Sequence, residues 1–111
     1  MEVVLFKVGR RADINQEEYQ RTFEHMLELV SQEPGFLGIE GYAGEGGTEL
    51  AVARFESRDA IARWRDHPDH VRTRARGREE FFDSLEITIG TVWRHYDWSR
   101  EEAAVEVPAS G

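Results

Sequence analysis

The chain has 111 residues, room for one sizeable hydrophobic core, so a second catalytic domain is excluded. A formal charge of −8 opposes nucleic acid and anionic membrane surfaces, leaving small molecules and other proteins as expected partners. Cysteine is absent, which removes disulfides, thiolate metal sites, iron–sulfur clusters and thiol nucleophiles.

The opening "MEVVLFKVGRR" carries an apolar run of only about six residues with no basic region before it, too little for a signal peptide or a membrane span. A cytoplasmic location is the expectation. Val3 to Val8 is β-branched and aromatic on both alternating faces, which predicts a strand covered on both sides. Asn15 with Glu18 three residues on forms a capping-box pattern, and Tyr19, Phe23, Met26, Leu27 and Val30 follow at helical spacing until Pro34 and Gly35 stop the helix. Phe36 to Gly44 and Thr48 to Ser57 predict a hairpin turning at "EGG". From Arg58 the helical pattern returns: Ala60, Ile61 and Trp64 form one stripe, interrupted at Pro68. Val71, Ala75, Phe81 and Phe82 then suggest a second helical piece with a bend near Gly77. A long strand is predicted from about Leu85 to Trp98.

Strand, helix, strand, strand, helix pair, strand is the order of a ferredoxin-like α+β plan, a four-stranded antiparallel sheet with helices on one face. The expected domain spans residues 3–98. Residues 99–111 form an acidic tail, expected to be mobile or to rest on a neighbour. Strands with two apolar faces need a second cover, which a homodimer packing sheet on sheet would supply.

Chemistry concentrates in "WRDHPDHVRTRAR", residues 64–76. Pro68 biases His67 away from helical dihedrals and suits the first position of a new helix, so His67 is the expected joint and His70 sits in the first turn. The helix dipole disfavours an imidazolium there, while Asp66 and Asp69 favour it. Either way, a histidine titrating near neutrality is a proton acceptor. His67 and His70 lack a third metal ligand, His25 and His95 lying on other elements, so no metal site is expected. Arg72, Arg74, Arg76 and Arg78 spread around a helix and read as a salt-bridged solvated face, with Arg74 the one retained as an anion-holding candidate.

The order and spacing of "EPGFLGIEGY", "ARFESRDAIARWRDHPDHVRTRARGREEFF" and "TVWRHYDW" resemble the antibiotic biosynthesis monooxygenase (ABM) family of dimeric α+β barrel proteins. The resemblance implies a cofactor-independent monooxygenase that oxidises a small phenol, quinol or polyketide-like aromatic with dioxygen. Such a reaction needs a base, an apolar wall and hydrogen-bond donors. His70 or His67 would be the base and Trp64, which matches a helix tryptophan of several oxygenase members, the wall or indole donor. Arg74 would stabilise negative charge, and Tyr19, Phe23 and Phe82 would line the substrate cavity. The bland readings are core packing for Trp64, Tyr19 and Phe23, and capping or interface roles for the histidines.

Three other functions stay open: a non-catalytic small-molecule-binding or pathway-accessory dimer, a polyketide cyclase-like lyase, and a haem-binding or haem-degrading protein. The lyase reading follows from the HPxH spelling of a related stress-responsive barrel group. It makes His70 the base but finds Trp64 where a tyrosine is needed. The haem reading meets no asparagine in the first strand and Arg74 ten residues past Trp64, where haem-degrading relatives carry histidine.

Overall fold

A computed structural model describes residues 1–100. Four strands, β1 (Glu2–Arg10), β2 (Phe36–Ala43), β3 (Thr48–Phe55) and β4 (Phe82–Thr91), form one antiparallel sheet in the order β2-β3-β1-β4. Helix α1 (Gln16–Val30) crosses from β1 to β2, and α2 (Arg58–Arg65) with α3 (Pro68–Arg76) from β3 to β4. This is the ferredoxin-like α+β architecture that the element order predicts. Among the described residues no helix is long and apolar enough to cross a membrane.

Register assigns the two sheet faces, because residues opposite each other in an antiparallel pair point the same way. Val4 lies between Ala53 and Ile89, Phe6 between Ala51 and Ile87, and Val8 between Glu49 and Leu85. That face carries the helices: Val4, Phe36, Ala53, Ile61 and Trp64 pack around buried Val30, Phe55 and Ala60. Helix α1 begins on the side-chain cap its sequence predicts, and α2 on one that the structure adds. Asn15 accepts from the Glu18 amide at 3.1 Å and Ser57 from the Ala60 amide at 3.1 Å, each satisfying one otherwise orphaned donor.

Gly35 links α1 to β2 with φ +87°, and a Cβ there would lie 2.8 Å from the Ala60 Cβ at the centre of the core. Left-handed backbone and the missing methyl are therefore both required. Gly35→Ala is expected to cost about 2 kcal/mol or more, measured by chemical denaturation, from a strained φ and an overpacked Ala60.

Three expectations are corrected. The closing strand ends at Thr91, not Trp98, because its neighbour β1 starts at Glu2, opposite Thr91. After the Val92 amide bonds the Met1 carbonyl at 3.0 Å, there is no further strand to pair with among the described residues. Residues 92–98 are thus not strand residues, and Trp93 stands 89% exposed. The second helical piece stops at Arg76. Residues Gly77–Phe81 widen into a π turn, and Phe82 is the first residue of β4, not a helical one. Val71, expected on the apolar stripe, is exposed. The acidic tail lies outside the described residues from position 101 onward.

Among the described residues, the opposite sheet face bears no helix. Register places Leu5 there between Val52 and Thr88, and Lys7 between Leu50 and Glu86, with Tyr42 beside Leu50. It mixes apolar and charged groups.

Candidate functional site

The corner between α2 and α3 brings Trp64, His67 and His70 together. Pro68 cannot donate an amide, so the chain turns at His67, whose φ/ψ of −59°/128° lies outside the helix and whose Nδ1 accepts from the Asp69 amide at 3.1 Å. His67 is the N-cap of α3, as its position before Pro68 predicts. An accepting Nδ1 leaves its Nε2 as the protonated, donating nitrogen of the neutral ring.

His70 has the opposite arrangement. Its ring stacks on Trp64 with centroids 4.5 Å apart and planes 15° from parallel. Nδ1 lies 3.0 Å from the Trp64 carbonyl, which can only accept, so Nδ1 carries the proton and Nε2 keeps a free lone pair. Burial lowers the His70 pKa below the ordinary histidine value. The nearby charges of Arg74 and His67 act in the same direction, against the raising effect of the Trp64 and Arg65 carbonyls. Neutral and base-ready at pH 7, His70 can accept a proton at Nε2; His67, with Nε2 a donor, cannot do so in this tautomer. Trp64 rests against the Val30, Phe55 and Ala60 core, so one indole both packs and carries the stack. Its N–H makes no hydrogen bond among the described residues.

His67→Ala removes the cap and is expected to cost about 1 kcal/mol of stability in chemical denaturation, with the chemistry of the corner preserved.

Tyr19, Phe23 and Phe82 also meet, but in a second group. Tyr19 stacks on Phe23 at 6.5 Å and meets Phe81 and Phe82 edge-on at 5.3 and 6.1 Å, while Phe6 meets Phe82 at 6.0 Å. The Tyr19 hydroxyl donates to Glu49 at 3.2 Å, and burial, with the Glu49 charge second, pushes its pKa up to about 12. Tyr19 is therefore a protonated donor, not a base. Glu49 is held by Arg10 Nε at 2.7 Å, an attraction of charge without hydrogen-bond alignment. The π turn delivers Phe81 and Phe82 as consecutive residues of this group, and Gly77 permits it: a Cβ there would lie 2.8 Å from the Phe82 ring.

No ring contact or hydrogen bond joins the aromatic group to the corner among the described residues. Arg74 is exposed and makes no ion pair among the described residues, while Arg72 pairs with Asp69, and Arg76 with Glu18 and Glu80, as a salt-bridged helix face predicts. Phe6 and Phe81 went unassigned as site residues in the sequence. The parity of Phe6 with Val8 was the signal for it, whereas Phe81 depends on the π turn. A groove of about 320 Å³ opens elsewhere, between α2 and β4, with Glu2, Arg58, Ile61 and Ile89 in its lining. Nothing in the sequence joins those positions. Among the described residues no three His, Cys, Asp or Glu side chains converge as a metal site.

Residues 12–76 match the antibiotic biosynthesis monooxygenase family. YqjZ of Bacillus subtilis strain 168 is 34% identical over 80 residues, covering 72% of this chain and 70% of that protein. Rv0793 from Mycobacterium tuberculosis has a similar fold, with TM-score 0.75 at 20% identity over 86% of this chain and 98% of that one. SnoaB, a cofactor-independent oxygenase from Streptomyces nogalater, has TM-score 0.70 at 14% identity over 85% of this chain and 94% of that one.

Proposed function

Because the chain belongs to the antibiotic biosynthesis monooxygenase family, we propose that it oxidises a small phenol, quinol or anthrone-like aromatic with dioxygen, using side chains alone. The observation that carries this reading is the neutral His70 with a free Nε2 lone pair, stacked on Trp64 and half-buried at the α2–α3 corner.

His70 Nε2 takes the acidic proton of the bound substrate, giving an imidazolium and an electron-rich anion. The anion passes one electron to dioxygen, and the radical pair collapses with formation of a C–O bond to give a peroxide anion. The imidazolium returns its proton to the distal oxygen. Cleavage of the O–O bond, with loss of the second hydrogen from the same carbon, expels water and leaves a carbonyl. Overall a CH₂ group and O₂ become C=O and H₂O, so no external reductant is consumed. Trp64 is the apolar wall, its unbonded indole N–H a donor toward developing negative charge, and Arg74, one turn beyond His70, adds cationic stabilisation. Tyr19, Phe23 and Phe82 hold the aromatic rings of larger substrates.

The working unit is a homodimer in which the helix-free sheet faces meet, burying Leu5, Leu50 and Val52. Light scattering at micromolar concentration is expected to report about twice the 12.8 kDa chain mass.

The test is oxygen uptake by metal-free protein with a panel of anthrones and hydroquinones. Uptake above the uncatalysed rate, with one O₂ consumed per carbonyl formed, supports the reading. Saturable binding without uptake overturns it in favour of an accessory, non-catalytic role.

A further inference from the structure

Glu2 is 8% exposed, a carboxylate carried into the helix-bearing side of the sheet by the first residue of β1. One oxygen, Oε2, accepts from the Thr91 hydroxyl at 2.8 Å, and Oε1 accepts no hydrogen bond among the described residues. Oε1 is not sealed off, so it is an acceptor that water or a ligand in the groove can reach. Across Thr91 stands Arg58, whose Nη2 reaches the same hydroxyl at 3.5 Å and which pairs with no carboxylate among the described residues. Arg58 is the first residue of α2, the end where the helix dipole opposes a cation, so local stability does not account for it. The other lining arginine, Arg65, is already neutralised by Asp66 at 3.1 Å.

Beside these polar groups the groove has apolar walls. Ile61 stands on α2, and Ile89 on β4 is 53% exposed although register places it on the helix-bearing face. The core cluster sits over β1, β2 and β3, and the helices leave the edge strand β4 uncovered there. The resulting groove of about 320 Å³ falls at the small end of the volumes of ligand sites.

We propose that this groove is a second binding site, separate from the α2–α3 corner, for a small aryl acid that also carries a hydroxyl donor. The ligand carboxylate pairs with Arg58, its ring lies between Ile61 and Ile89, and its hydroxyl donates to Glu2 Oε1. The Arg58 guanidinium recognises the anion in a chain whose net charge of −8 otherwise repels it.

The experiment is a titration of the full chain followed by the isoleucine methyl signals in NMR, with 4-hydroxybenzoate as probe and benzoate and phenol as arms lacking one group each. Expected are saturable shifts at the Ile61 and Ile89 methyls, with benzoate and phenol each weaker by about tenfold. Arg58→Met should reduce 4-hydroxybenzoate to the affinity of phenol, and Glu2→Met, which removes the acceptor, to that of benzoate, with the folded spectrum retained. Equal affinity for all three compounds, or 4-hydroxybenzoate shifts confined to signals near Trp64 and His70, would overturn the proposal. Neither readout depends on oxygen uptake, so failure here leaves the reading of the corner untouched.

Discussion

His70→Ala is expected to lower oxygen uptake by about a hundredfold or more while the protein remains folded, the scale on which loss of a general base is felt. In the unmodified protein the rate should rise with pH through the His70 ionisation and level off above it, because only the neutral ring accepts a proton. Burial holds that ionisation below the ordinary histidine value, so the rising limb lies on the acid side of neutrality. The variant should lose this limb. Stability should show the same group with a definite sign. The unfolded chain binds a proton to His70 at a higher pH than the folded one does. Between the two pKa values the unfolded state therefore holds more protons, and stability rises with pH. The contribution is fully present above the unfolded value and is lost as pH falls through the folded one. A rate profile unchanged by His70→Ala would make the corner a structural joint and move the chemistry elsewhere.

Phe55→Ala carries the largest expected cost in stability, about 3 to 5 kcal/mol by urea denaturation. Phe55 is 2% exposed, meets Phe36 edge-on with centroids 5.5 Å apart, and forms the buried cluster with Val30 and Ala60. Removing its ring leaves a cavity that neighbours on three different elements cannot fill together. A loss of that size is a large part of the whole stability of a small domain, typically about 5 to 15 kcal/mol. Phe55→Leu, which keeps most of the volume, should recover more than half of it. Trp64 rests on the same cluster, so the alanine variant should also loosen the Trp64–His70 stack and lower activity before the protein melts. An alanine variant within about 1 kcal/mol of the parent would show that the core closes over the gap and that Phe55 does not anchor the corner.

The order of elements, the Asn15 cap and the joint at His67 were legible in the sequence because each is governed by residues within four or five positions. Asn15 caps the helix it precedes, and Pro68 forces the bend whatever surrounds it. The alternation of β1 likewise placed Val4, Phe6 and Val8 on one face without reference to the rest of the chain. The end of β4 was not local. It depends on β1, which begins at Glu2, so Thr91 is the last residue with a strand partner although the apolar pattern continues to Trp98. The π turn was hidden for a related reason, since Phe81 and Phe82 keep helical spacing but are drawn to rings on Tyr19 and Phe6, far away along the chain. Residue type and spacing alone showed that two histidines and a tryptophan share a corner. Only the packed structure distinguished them, by giving the Asp69 amide to one imidazole and the Trp64 carbonyl to the other. A proton's position on a histidine ring is set by whichever partner the fold brings within hydrogen-bond reach.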